Sequence, residues 1–220
     1  MIELEKTKIA HAIAKLKADS KKRKFKQNIE LIVTLSGLNL KKPEEQVEFF
    51  TILPHGRGKA AKVCALIGPE LKEEAEKVCD KIILQQEFAG YASDKKKTKE
   101  LANEYDFFIA QANIMAQIAG AFGKVFGPRG KMPNPKAGCV VPPKGALKPL
   151  YDKLQKTIKV SAKTQPQVQC RIANEEENEA HIIDNVEALI SQIVQHLPQH
   201  ETNLKAAYLK LTMSKPVKIE

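Results

Sequence analysis

No stretch of this 220-residue chain approaches the roughly 20 consecutive apolar residues that a membrane-spanning helix requires. Its lysine-rich, acid-containing N-terminus also lacks the apolar centre of a secretory signal, so a cytoplasmic protein with no membrane partner is expected. Cysteine is sparse. Cys64, Cys79, Cys139 and Cys170 are scattered with no Cys-x-x-Cys pair, which argues for reduced thiols and against a zinc or redox site. His196 and His200 have ligand-like spacing, but Pro198 interrupts the helix that would align them, so neither metal nor cofactor is expected. Carboxylates are missing altogether between Asp106 and Asp152. The charges of Lys124, Arg129, Lys131, Lys136, Lys144 and Lys148 therefore have no compensation nearby in sequence.

The composition is that of a folded chain, with 43% hydrophobic and 28% charged residues, enough apolar material to offset ordering entropy. Its length suits one large domain or two small ones. A net charge of +10 says nothing about fold but points to a polyanionic partner, nucleic acid first.

Along the chain the apolar pattern changes style twice. Ile9, Ile13 and Leu16 recur at helical spacing between Leu4 and Asp19. Ile29, Leu31, Val33 and Leu35 then alternate with their neighbours as in a half-buried strand, and Val47–Leu53 predicts another. The breaker cluster Pro54-His55-Gly56-Arg57-Gly58-Lys59 reads as a linker. Beyond it, short continuous apolar runs at Val63–Ile67 and Phe107–Ala110 alternate with predicted helices from Pro69 to about Leu84, from an N-cap at Ser93 to Glu104, and over Ala112–Gly123. That alternation implies parallel pairing and an α/β layer. The first style returns with strands predicted at Thr157–Lys163 and Gln167–Ile172, an amphipathic helix at Glu179–Leu197, and strands at Leu204–Met213 and Pro216–Glu220. The economical reading is an α+β domain built from both termini, with an α/β domain inserted between two adjacent crossing strands that permit a hinge.

Three basic features stand out. Gly127-Pro128-Arg129-Gly130-Lys131-Met132-Pro133-Asn134-Pro135-Lys136-Ala137-Gly138 forbids regular helix or strand and makes a stiff cationic loop. It is no phosphate loop, because Val125 and Met132 stand where glycine and serine or threonine are required; nor does Ala112–Gly123 carry a dinucleotide fingerprint. A nucleotide-binding enzyme using the inserted layer remains the alternative, supported only by that layer and this loop. Lys21-Lys22-Arg23-Lys24-Phe25-Lys26 sets an aromatic among cations, the combination that RNA sites use for stacking beside phosphate contacts. Residues 153–171 hold Lys153, Lys156, Lys159, Lys163 and Arg171 without an acid; Lys159 and Lys163, if on one side of the sheet, extend a cationic surface.

Together the proline-glycine loop, Leu53-Pro54-His55-Gly56-Arg57-Gly58-Lys59 and the late Thr212-Met213 resemble the ribosomal protein L-one family, the universal large-subunit protein of the mobile stalk. Lys163-Thr164-Gln165-Pro166 resembles its archaeal and eukaryotic branch. The resemblance implies two domains: a discontinuous α+β RNA-binding domain of residues 1–58 and 154–220, and an inserted Rossmann-like three-layer α/β domain of residues 59–153. It implies binding to large-subunit ribosomal RNA, assistance in releasing exit-site tRNA, repression of the protein's own messenger RNA, no catalysis, and a monomer when free of the ribosome. Lys24, Phe25, Glu30, Lys163, Thr164, Thr212 and Met213 match its RNA-binding positions, with Lys22 and Arg23 from the adjoining run. Ser214, which stands where the family usually has glycine, adjoins them; Arg129, Lys131 and Lys136 become a secondary RNA contact.

Overall fold

The structure, a computed structural model, describes residues 6–21, 23–143 and 145–219. In chain order its elements are α1 (Lys6–Ala18), β1 (Asn28–Leu35), β2 (Val47–Ile52), β3 (Val63–Ile67), α2 (Lys72–Val78), β4 (Lys81–Leu84), α3 (Phe88–Ser93), α4 (Lys95–Glu104), β5 (Phe107–Gln111), α5 (Met115–Phe126), β6 (Val140–Val141), α6 (Leu147–Lys156), β7 (Thr157–Ala162), β8 (Gln167–Asn174), α7 (Glu179–His196), β9 (Leu204–Leu211) and β10 (Val217–Lys218). The packing divides into two compact units. One runs to Lys59 and resumes at Lys156; the other is Ala60–Gln155.

In the terminal unit, β1 is central to an antiparallel sheet of order β10-β9-β1-β8, and β2 pairs with β7 in a second, two-stranded sheet. The insertion thus leaves and re-enters through two strands that lie side by side. Strand β1 alternates as its sequence predicts, with Ile29, Leu31, Val33 and Leu35 buried. Against them pack Ile9, Ile13 and Leu16 of α1 and Ile182, Val186, Leu189 and Ile193 of α7. Lys17 meets Glu179 at 2.7 Å across the two helices, an exposed pair that adds little to this apolar core.

The linker cluster is docked rather than loose. Asn185 of α7 is buried; its Oδ1 accepts the His55 N–H at 3.1 Å, and its Nδ2 donates to the carbonyls of Gly56 and Ile172 at 2.9 Å each. Gly58 has φ +75°, and a Cβ there would stand 2.3 Å from the backbone nitrogen of Asn174. Only glycine admits both that dihedral and that approach.

The inserted unit is a parallel sheet of order β4-β3-β5-β6, as the alternation of strands and helices predicts. Its core gathers Leu66, Ile83, Phe108, Ile118, Phe122 and Phe126. Three details differ from the sequence expectations. The helix expected to reach Leu84 stops at Val78, because Asp80 bonds the edge of β3: its carboxylate accepts the Val63 N–H at 2.7 Å and its N–H donates to the Val63 carbonyl. That turns Lys81–Leu84 into a strand beside β3. The cap of α4 is Asp94, whose carboxylate accepts from the Lys96 and Lys97 N–H groups, while Ser93 closes the preceding short helix α3. Helix α6 and the two-residue β6 had no sequence counterpart, being hidden in a proline-rich, weakly periodic segment.

Candidate nucleic-acid interface

The N-terminal end of β1 brings together the two extremes of the sequence. Gln27 is 2% exposed and acts as the junction. Its Oε1 accepts the Met213 N–H at 3.1 Å, its Nε2 donates to Glu175 at 3.3 Å, and its own carbonyl accepts the Glu175 N–H. One residue on, the Asn28 N–H donates to Thr212 Oγ1 at 3.0 Å and the Thr212 N–H donates back to the Asn28 carbonyl at 3.1 Å. Ser214 tightens the same turn: the Leu211 N–H donates to its Oγ at 2.9 Å, and its N–H donates to the Leu211 carbonyl. Ser214 is thus a closing group of the turn, which its sequence position could not tell.

Around this junction lies the unusual surface. Among the described residues the large hydrophobic side chains left exposed are Phe25 (50%), Ile52 (48%) and Met213 (60%). Two of the three flank Gln27 and Asn28. Arg23 and Lys24 beside Phe25 are exposed, as is Lys215 beyond the turn. Lys26 is held at 2.6 Å by Glu176, whose hydrogen bond and charge raise the lysine's pKa above its ordinary value. Lys22 lies outside the described residues.

Lys163 and Thr164 are placed elsewhere, not beside Phe25 and Met213. Gln167 pairs with Thr34 and the Leu35 N–H donates to the Pro166 carbonyl, so their loop sits beyond the other end of β1. The eight residues of β1 separate the two ends by roughly 24 Å. Lys163 is not a bare cation either. Glu48 of β2 takes Lys163 at 2.6 Å and Lys159 at 2.9 Å, and these two hydrogen bonds, Lys163 first, hold its carboxyl below the ordinary range. Facing β7 across the ladder, β2 brings in a carboxylate that the acid-free run of residues 153–171 does not contain.

Glu30 lies between the ends, on the face of β1 turned from the core. Its cross-strand neighbours are Lys210 on β9 and Arg171 on β8, and its carboxylate accepts from Gln169 Nε2 at 2.7 Å. Sheet register, invisible in linear sequence, assembles this mixed-charge row.

The proline-glycine loop is a brace as much as a charge. Arg129 Nη1 donates to the Lys99 carbonyl at 3.0 Å and to Asn103 Oδ1 at 2.8 Å, capping the end of α4, and Lys131 Nζ reaches the Tyr105 carbonyl at 2.5 Å. Gly138, at φ +76°, closes the loop's last turn in the left-handed region. Backbone carbonyls and Asn103 thus hold Arg129 and Lys131, two of the six cations with no carboxylate nearby in sequence; Lys136 stays exposed.

A buried side chain occupies the switch point of the inserted sheet, the place where such sheets bind nucleotides. The chain reverses direction between β3 and β5, and crevices for nucleotides lie at the carboxyl ends of such strands. Here Gln111, 1% exposed, fills the place: its Oε1 accepts the Gly68 N–H at 2.7 Å and its Nε2 donates to Glu70 at 3.0 Å. Among the described residues no group of histidine, cysteine and acidic side chains is arranged to hold a metal.

Comparison with known proteins decides the family. Residues 16–215 match the ribosomal protein L1p/L10e family. The chain belongs to that family. It is 34% identical over 217 residues to the large ribosomal subunit protein uL1 of Methanocaldococcus jannaschii, covering 99% of this chain and 97% of that protein. The uL1 of Thermococcus kodakarensis is 35% identical, with 98% of each chain covered, and that of Nanoarchaeum equitans 36% identical over 205 residues, covering 91% of this chain and 94% of that one. These relatives are archaeal, the branch that Lys163-Thr164-Gln165-Pro166 resembles.

Proposed function

We propose that this member of the ribosomal protein L1p/L10e family is a structural component of the large ribosomal subunit. It binds large-subunit ribosomal RNA through the end of the terminal unit where Phe25 and Met213 stand. The observation that carries this reading is the exposure of those two apolar side chains on either side of a hydrogen-bonded junction, bordered by Arg23, Lys24 and Lys215. A soluble domain gains nothing from apolar groups in water; amid cations, Phe25 offers a stacking face and Met213 an adaptable apolar contact. Lysine contacts to phosphate supply affinity, and RNA shape supplies specificity. Glu30, Lys163 and Thr164 carry the contact along the sheet toward its other end, and Arg129, Lys131 and Lys136 of the inserted unit are a secondary contact.

The role needs no reaction step. The competing nucleotide-binding reading is disfavoured by Gln111 in the crevice that a nucleotide would use. The family resemblance extends the proposal to release of exit-site tRNA and to repression of the protein's own messenger. A translation assay with and without the messenger leader tests the last.

The direct test is binding of stalk ribosomal RNA to wild type, Met213→Asp and Phe25→Ala. Both side chains are exposed, so the variants keep the wild-type melting temperature while Met213→Asp loses at least tenfold in affinity. Loss of one stacked base partner by Phe25→Ala costs about 1–3 kcal/mol. Wild-type affinity in both folded variants removes this end of β1 from the interface.

A further inference from the structure

We infer that a second stretch of RNA backbone is held in a groove running from Met213 along α1, a subsite that shares Arg23, Met213 and Lys215 with the Phe25–Met213 contact and extends it over Lys8 and Lys15. This rests on the RNA-binding reading and extends it. The groove encloses about 700 Å³ between α1, the segment that follows it, and the chain from Met213 to Lys218. Its cations come from three places in sequence: Lys8 and Lys15 from α1, Lys21 and Arg23 after it, Lys215 and Lys218 from the C-terminal segment. Among the described residues Asp19 is its one lining carboxylate.

Helical spacing explains the α1 contribution. Lys8 and Lys15 are seven residues, close to two turns, apart, so they share a face, and the buried Leu16 beside them supplies apolar floor. Pro216 and Val217 line the opposite wall. Lys8, Lys15, Lys21, Arg23 and Lys215 form no ion pair with a described residue, in contrast to Lys17 and Lys26, which are paired with Glu179 and Glu176. Like charges converging on one concavity repel one another, and low-dielectric walls focus their field outward. A chain of phosphates relieves that repulsion, and ribose fits the apolar floor.

Continuity selects the occupant. Met213 and Ser214 line the groove's end, so an RNA strand contacting Met213 enters it without leaving the surface. Each phosphate neutralised there adds to the salt dependence of binding, by about 0.7 to 0.9 in the slope of log affinity against log salt.

The test compares stalk ribosomal RNA binding by wild type and by Lys8→Gln/Lys15→Gln over a salt series, with Lys95→Gln/Lys96→Gln on α4 of the other unit as a control of equal charge change. All four lysines are exposed, and thermal melts confirm folding. Removing two phosphate contacts lowers the slope by about 1.4 to 1.8, so from 50 to 200 mM salt the α1 variant loses roughly tenfold less affinity than wild type. The control keeps the wild-type slope. An α1 variant with the wild-type slope, or a control that shifts equally, overturns the groove as a subsite while leaving the Phe25–Met213 contact standing. Failure of wild type to bind overturns the proposed function itself.

Discussion

The side chain of Gln27 accepts the backbone N–H of Met213 at 3.1 Å, although 186 positions separate them in sequence. Through the same side chain and its carbonyl, Gln27 holds Glu175, so three chain segments meet at one amide that water barely reaches. The exposed Met213 is thereby presented from a fixed turn rather than a loose end. Pre-organisation of this kind lowers the ordering entropy paid on binding.

Gln27→Ala removes the acceptor of the Met213 N–H, a hydrogen bond worth about 0.5–1.5 kcal/mol. The expected outcome is faster amide hydrogen exchange at Met213 and weaker RNA binding with an unchanged salt slope, because no charge is removed. A lowered slope with unchanged exchange would show instead that Gln27 acts through the electrostatics of the surface.

Gly58→Ala is expected to destabilise the terminal unit strongly. The residue sits at φ +75° with its added Cβ 2.3 Å from the Asn174 nitrogen and 2.5 Å from the Ala173 carbonyl carbon, both backbone atoms of β8 that cannot step aside. Strain in the left-handed region alone is of order 1 kcal/mol or more, and the clash adds to it. Gly56, also at positive φ but with nothing within 4 Å of its added Cβ, isolates the dihedral cost. Thermal unfolding of the two alanine variants should rank Gly58→Ala well below Gly56→Ala. Equal melting temperatures would mean that the linker is not seated on β8.

How far such features were legible in sequence depended on their range. The period of two in Ile29, Leu31, Val33 and Leu35 marked a strand with one buried face because burial itself has that period. The continuous apolar runs around Val63 and Phe107 marked a parallel sheet covered on both faces. Helix and strand were confused where the deciding interaction was distant: nothing local reveals that Asp80 will bond the edge of β3 and end α2. The same holds for the site. Phe25 drew notice as an aromatic among cations and Met213 through the Thr-Met of the family resemblance, but Gln27, which joins them, has no signal beyond an ordinary polar residue before a strand. Lys163 read as free charge because its partner Glu48 lies across a ladder, 115 positions away.

The thiols should be inert in the folded protein. Burial pushes Cys79 and Cys139 up to about 11 and Cys170 up to about 12, with desolvation the leading cause, and raises Cys64 too. Only the thiolate attacks an alkylating reagent. At pH 8, iodoacetamide is therefore expected to leave the native protein largely unmodified by mass spectrometry and to label all four cysteines in denaturant. Rapid native labelling would show that the cores around these residues open far more often than their packing implies.

Glu48 offers the sharpest test of whether Lys163 belongs to the RNA surface. Its folded pKa is depressed, chiefly by the Lys163 hydrogen bond and next by that from Lys159, so its contribution to stability is present above the ordinary carboxylate pKa and is lost as pH falls through the depressed value. Glu48 is about one-third exposed and Lys163 nearly half, so that contribution is small and the unfolding midpoint of Glu48→Gln should move little at pH 7. RNA binding should respond in the opposite sense. Removing the carboxylate frees Lys159 and, beyond the far end of β1, Lys163; if Lys163 then takes a phosphate, the log affinity against log salt slope steepens by about 0.7 to 0.9. An unchanged slope in folded Glu48→Gln confines the interface to the Phe25–Met213 end of the sheet, because a lysine released from the Glu48 carboxylate and still indifferent to RNA is not facing it.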